Sequence, residues 1–408
     1  MVLPETGLPH AVAHAVLSRF DALPQKRKPS IRDNGCHDWV PLSGIVAEID
    51  GRMICLALAT GMKCLPSAKL PLSRGIGIHD WHAEILAIRT FNRFLLDECR
   101  SMLAGGDDHG VLVKRPDSEA GSSRPFEIRD GIKFHMYCSE APCGDASMEL
   151  IMSAQEDASP WDTPSQEAQT LHNGDLPGRA YFSQLGVVRR KPSRGDAPLA
   201  LSKSCSDKLA LKQCTSLLSS ITSMFIHPAN AYIHTLVLPE SQYSQTACQR
   251  AFSESGRMLP VTEKSWGEGY AFHPFLIQPT TKEFRYSKRV LSETFSNLAA
   301  SNLAAAWSLS GVDEGIIGGV LQGRKQFDGK GASKMSRMRM WLLAQDLSIM
   351  IPGSAVLEDH FKARMYEQVK VGPLLTSRRI VKDDVHSMAL PGWARNEGDS
   401  DFSVNCLG

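Results

Sequence analysis

Four side chains in this sequence carry chemistry when taken together. In "HDWHAEILAIR", starting at His79, the imidazole of His82 precedes the carboxylate of Glu84 by two residues; Cys143 lies in "SEAPCGDAS" and Cys205 in "SCSDK". One imidazole and two thiolates suit Zn²⁺, and a catalytic zinc takes three protein ligands and keeps one position for water. A carboxylate two residues from the imidazole is near enough to reach that water rather than the metal, and so to carry its proton. Each piece alone says little, because His-x-Glu recurs by chance in many helices. Most of the ten cysteines, Cys36, Cys55 and Cys248 among them, show no partner pattern and are expected to be small core hydrophobes.

The elements that would position these residues follow from the hydrophobic pattern. "GIVAEIDGRMICLALATG", from Gly44, reads as a hairpin around Gly51-Arg52. A helix is expected from about His82 to Cys99, with Ala87, Phe91, Phe94 and Leu95 on one stripe and Ile85 and Ile88 on another. A helix apolar on two sides is packed on two sides, here against a sheet. "GIKFHMYCSEAPCGDASMELIM" predicts a strand ending near Cys138, a turn, and a helix from Cys143 or just after. A further helix follows Cys205, "AYIHTLVLP" is a strand, "NLAAAWSLSGVDEGIIGGVLQGRKQF" a second hairpin, and the last hundred residues are largely helical. Stretches rich in Gly, Ser, Pro and acids at about 103–125 and 154–180 are expected loop insertions in one continuous α/β domain.

Composition bounds the class. The chain has 408 residues, 42% hydrophobic and 22% charged, with a net charge of +1. "MVLPETGLPHAVAHAVLSRF" lacks the basic flank and apolar run of a signal peptide, and runs such as "IIGGVL" are too short to cross a membrane. A cytoplasmic or nuclear location, no membrane contact and reduced cysteines are therefore expected, with no obligate protein partner evident. The near-neutral average hides two basic runs. Residues 187–213 hold Arg189, Arg190, Lys191, Arg194, Lys203, Lys208 and Lys212, and residues 323–345 hold six more Lys or Arg. A single such run is ordinarily a solvated face; two point to a bound polyanion.

The ordered trio "HAE", "SEAPCGDAS" and "SCSDK" resembles the adenosine deaminases that act on RNA and tRNA. In the free-nucleoside and mononucleotide deaminases the two cysteines fall at C-x-x-C spacing; here Cys143 and Cys205 are 62 residues apart, as in the RNA branch. The resemblance runs from about Val16 to Phe402 as one domain. It implies a cytidine-deaminase-like three-layer α/β/α core with a largely helical C-terminal extension. It also implies Zn²⁺ on His82, Cys143 and Cys205, and Glu84 as the proton shuttle for turning adenosine into inosine. Members of this family enclose inositol hexakisphosphate beneath the active site. Arg89, Lys208, Arg337 and Lys370 fall on matching positions, Arg395 after Trp393 matches more loosely, and Asp80 with Lys208 is the expected polar link to the zinc site. Ile88 and Leu211 stand where relatives often carry Arg, and His360 where they often carry Lys; Lys212 and Lys334 are neighbours that would compensate.

"RRKPSRGDAPL" is similar to a K-P-G-R-G loop of the tRNA-specific branch, with Ser193 in place of Gly. Only the residues before Val16 precede the core, so no double-stranded-RNA-binding module is expected there. These features imply tRNA as partner, at the adenosine 3′ of the anticodon of alanine tRNA, with Arg189, Arg190, Lys191 and Arg194 as phosphate contacts. Two other readings stay open: an editor of double-stranded or messenger RNA, and a catalytically inactive RNA-binding protein with structural zinc. Against the last, a structural zinc has no use for Glu84 and takes four protein ligands. Free adenosine as substrate is disfavoured by the basic runs.

Overall fold

The computed structural model describes residues 7–115, 124–155, 182–191 and 198–403. At its centre is an eight-stranded sheet. The strands, in chain order, are β1 (Leu42–Ile49), β2 (Arg52–Thr60), β3 (Lys133–Cys138), β4 (Ile233–Pro239), β5 (Leu276–Thr280), β6 (Ala304–Ser308), β7 (Asp313–Ile317) and β8 (Val320–Leu321). They lie in the order β5-β4-β3-β1-β2-β6-β7-β8. Strands β3, β4 and β5 run parallel, and the remaining neighbours pair antiparallel. The β1–β2 hairpin turns at Asp50-Gly51, one residue before the expected Gly-Arg. Both residues take positive φ, 50° and 76°, which suits the tight turn that matches strand twist.

Alternate residues of the strands feed two cores. On one face Val46, Leu58, Tyr137 and Val237 pack with Val12, Val16 and Phe20 of helix α1 (Leu8–Asp21). On the other, Ile45, Phe134, Met136 and Leu236 pack with Phe91, Phe94 and Leu95 of helix α2 (Ala83–Ala104). Each such fully buried side chain contributes about 1.5–3 kcal/mol. Helix α2, apolar on two sides as its stripes predict, also touches α4 (Arg337–Met350) and α3 (Cys205–Thr215). Helix α5 (Thr376–Met388) lies against α3 and completes the helical C-terminal part. The result is helix, sheet, helix in three layers. No helix among the described residues is long and apolar enough to cross a membrane.

Two expectations change. The helix expected from Cys143 or just after begins late: Gly144 has φ 102° and ψ −142°, outside the helical region, and a 3-10 turn at Asp145–Ser147 leads into a short helix at Met148–Ser153. The stretch 103–125 is not all loop, because Leu112–Lys114 pairs with Phe126–Ile128 in a three-stranded sheet. Its residues 116–123, and most of the second expected insertion, lie outside the described residues.

Helix α1 packs close on β1 at Gly44, where an added Cβ would stand 2.7 Å from both Val16 methyls. Gly44→Ala should therefore cost about 1–3 kcal/mol by overpacking. Pairing it with Val16→Ala should recover part of the loss, so denaturant melts of the four-member cycle should show a favourable coupling.

Candidate active site

The catalytic segment enters α2 along a rail of backbone bonds. The N–H of Leu65 donates to His79 O, that of Trp81 to Lys63 O and that of Ala83 to Gly61 O, at 2.7, 3.0 and 2.9 Å. His82 is the N-cap with extended backbone, and Glu84 sits buried in the first turn. Across from it, Ser206 Oγ donates to Pro142 O at 2.8 Å and Ser206 N–H to Cys143 O at 3.0 Å, binding the Cys143 loop to the start of α3. Gly144 lets the loop come so close: a Cβ there would strike Ser204, the N-cap of α3.

Asp80 organises the site. Its Oδ1 accepts from His82 Nδ1 at 2.8 Å and from His82 N–H at 3.1 Å. A histidine whose Nδ1–H is given to a carboxylate presents the lone pair of Nε2, the arrangement that orients metal-binding imidazoles. The other oxygen, Oδ2, accepts from Lys191 Nζ at 2.8 Å, from Ser202 Oγ at 2.7 Å and from Lys208 Nζ. Burial would raise the Asp80 carboxyl, but Lys191, Lys208 and His82 outweigh it and hold the group well below the usual carboxylate range.

Lys191 Nζ also donates to Cys205 Sγ at 3.2 Å, and Cys205 N–H to Cys143 Sγ at 3.3 Å. The hydrogen bond from Cys205 holds the Cys143 thiol well below its usual range, while burial and the neighbouring sulfur push Cys205 well above. Burial, and then the Cys143 sulfur, raise the Glu84 carboxyl. Among the described residues no three His, Cys, Asp or Glu side chains stand as a formed metal-binding cluster. What fits zinc here is the donor chemistry: an oriented imidazole, a sulfur lowered by the hydrogen bond from Cys205, and a second sulfur beside a lysine ammonium.

The lysine corrects an expectation. Lys191 and Arg189 are buried, 4% and 1% exposed, and are not on the exposed surface that phosphate contacts would use. Arg189 donates to Gln184 O and its N–H to Asp207 Oδ2. Arg190 is half-buried, and Arg194 and Ser193 lie outside the described residues.

Beneath the site, between α2, α3, α4 and α5, is a cavity of about 340 Å³. The four cations expected at a polyanion site, Arg89, Lys208, Arg337 and Lys370, all line it, and Lys212, Arg378 and Lys382 join them with no acidic residue on the described wall. Ile88 and Leu211 are apolar parts of that wall. Lys370 donates to Ser220 Oγ at 2.6 Å, Lys212 to Leu218 O at 2.8 Å and Arg378 to Leu218 O at 2.7 Å; all three acceptors are neutral. Burial, then neighbouring cations, press the ammonium groups of Lys212 and Lys370 well below their usual range. Buried cations without counter-charges are costly, so the chamber suits a compact, highly charged anion. Arg395 does not line the cavity: it is exposed and faces Asp383 at 3.6 Å, near the wall residue Lys382. Lys334 is exposed and donates to Gly311 O, and His360 bonds to Val369 O; neither lines the cavity. Asp80 does not line it either, but reaches it through Lys208. The roles of Lys191, Arg378 and Lys382 escaped the sequence reading because each sits on a segment remote from the residues it serves.

Residues 57–397 match the family described as "Adenosine-deaminase (editase) domain". The chain is 40% identical over 298 residues to "tRNA-specific adenosine deaminase 1" of Schizosaccharomyces pombe, covering 72% of this chain and 73% of that protein. It is 32% identical over 248 residues to the protein of the same name from Saccharomyces cerevisiae, covering 58% and 59%. With "Double-stranded RNA-specific editase Adar" of Drosophila melanogaster it shares 30% identity over 213 residues, 48% of this chain and 29% of the editase. The chain belongs to the adenosine-deaminase (editase) domain family.

Proposed function

We propose that the chain is a zinc-dependent tRNA adenosine deaminase acting on the adenosine 3′ of the anticodon of alanine tRNA, with inositol hexakisphosphate as a structural cofactor. The observation that carries this reading is that Asp80 and Lys191 join His82 and Cys205, and Cys205 joins Cys143, with Glu84 buried beside them. His82, Cys143 and Cys205 would hold Zn²⁺, which when bound acts as a Lewis acid that makes a water acidic. Glu84 takes the proton as water adds to C6 of adenine and delivers it to the exocyclic nitrogen. The C–N bond then breaks, ammonia leaves and inosine remains. A carboxyl raised by burial serves well as both base and acid near neutral pH. Lys191 offsets part of the cost of ionising Cys205, and Asp80 holds His82 in the tautomer that binding requires.

The choice of tRNA rests on the names and the shared lengths of the two yeast relatives. It rests also on physics: an anticodon loop already presents unstacked bases, which lowers the cost of bringing adenine into a buried site. Arg190 and Arg194 stay as candidate phosphate contacts. The same chemistry on long duplex RNA is the competing outcome, decided by assaying both substrates.

Glu84→Gln should lower inosine formation in alanine tRNA by about 10²–10⁴-fold. Zinc content by atomic absorption and the melting curve should not change. Undiminished turnover in that variant would remove Glu84 from the mechanism; faster turnover of duplex RNA than of tRNA by the unaltered chain would overturn the substrate.

The cavity gives a pH prediction. Burial, then Arg378, lower Lys382 to about 8. A bound polyanion favours the ammonium form, so binding takes up protons. Its affinity should therefore fall as pH rises above about 8. Calorimetry with inositol hexakisphosphate in buffers of differing ionisation heat should register this uptake, and binding without proton uptake would refute the assignment of these lysines.

A further inference from the structure

The residues that lead into the catalytic segment are held by a distant part of the chain. His79 is buried, and both its ring nitrogens are taken by residues 396–399. Nε2 meets Asp399 Oδ2 at 2.6 Å, and Asn396 Nδ2 meets Nδ1 at 3.2 Å. The other oxygen of Asp399 accepts from Gly75 N–H at 2.7 Å. Arg337, on the cavity wall, donates to Asp399 O and stands 3.4 Å from Oδ2. The same stretch is fastened at its far end. The N–H groups of Glu367 and Tyr366 donate to Ser400 O and Phe402 O at 3.1 and 2.9 Å, and the Phe402 ring stacks on Tyr366 at 4.8 Å. Phe402 also covers Gly75, where a Cβ would strike its ring.

We propose that residues 396–402 form a strap in which Asp399 and Asn396 are positioning residues for the catalytic segment, acting through His79 and Gly75. The strap grips residues 75–79, and the next five residues carry Asp80, His82 and Glu84. Burial, then Arg337, push His79 down to about 4, so it is neutral near pH 7, with one nitrogen donating to Asp399 and the other accepting from Asn396. A neutral ring bonded at both nitrogens has one orientation. Because Arg337 faces the anion cavity and Asp399 together, the grip joins the strap to the cavity wall as well as to the site. A misplacement of about 1 Å in a catalytic group costs on the order of 10²-fold in rate, so a loosened grip should register in catalysis before it registers in the fold.

The test rests on the deaminase reading for its kinetic arm and stands without it for its structural arm. Asp399→Ala and His79→Ala should each lower kcat on alanine tRNA by on the order of 10²-fold, with KM changed far less. The double variant should be no slower than the slower single; multiplied losses would show that the two residues do not act through each other and would overturn the proposal. Hydrogen exchange supplies the second arm. Amides of residues 76–84 should exchange faster in Asp399→Ala while those of α1 keep their protection. Asn396→Ala removes a single hydrogen bond and should show the same local acceleration in a fully folded chain. Unchanged exchange at 76–84 in both variants would sink the strap whatever RNA the enzyme prefers.

Discussion

Everything about this site turns on one buried carboxylate. Asp80, 3% exposed, receives an imidazole on one oxygen and two ammonium groups and a hydroxyl on the other. A carboxylate without partners at that depth would be strongly disfavoured. With these partners it becomes a junction. One arm fixes the tautomer of His82; a second, through Lys191, sets a cation beside Cys205; the third, through Lys208, reaches the wall of the anion cavity. His82 and Cys205 on one side and the cavity on the other are thus two ends of one electrostatic network.

The fold exists to bring that network together from four places in the chain. Asp80, His82 and Glu84 arrive at the start of α2, and Cys143 on a loop that Gly144 keeps tight. Cys205 begins α3, capped by Ser204, whose Oγ donates to Asp207 Oδ2 at 2.6 Å while Asp207 pairs with Arg257 at 2.6 Å. Lys191 comes from the segment before it. The sheet and α2 provide the rigid base, and the C-terminal helices close the cavity below. Burial has opposing effects on charge here: it raises the Glu84 carboxyl, and it presses the cavity lysines Lys212 and Lys370 toward neutrality.

Much of this was legible in the sequence because it is written locally. The β1–β2 hairpin, the two stripes of α2, the strand ending at Cys138 and the helix after Cys205 all follow from periodicity and capping. The three motifs carried the family and the residues proposed for the chemistry. What stayed hidden was depth. "RRKPSR" reads as an exposed phosphate-binding loop, yet Lys191 points inward to Asp80 and Cys205, because a buried carboxylate and thiol elsewhere in the chain demand a cation. Arg378 and Lys382 belong to an amphipathic helix whose charges look solvated, and only the packing of α5 on α3 turns them onto the cavity. The helix expected from Cys143 or just after starts a few residues late, with a 3-10 turn before it, because of a single Gly whose backbone conformation no pattern of apolar residues reveals.

The account stands or falls on Asp80 as the junction, and Asp80→Asn tests it most directly, since the amide keeps the shape and loses the charge. Zinc and phosphorus content per folded chain should both fall in that variant, together with inosine formation in alanine tRNA. A folded Asp80→Asn protein that retains both cofactors and normal turnover would contradict it.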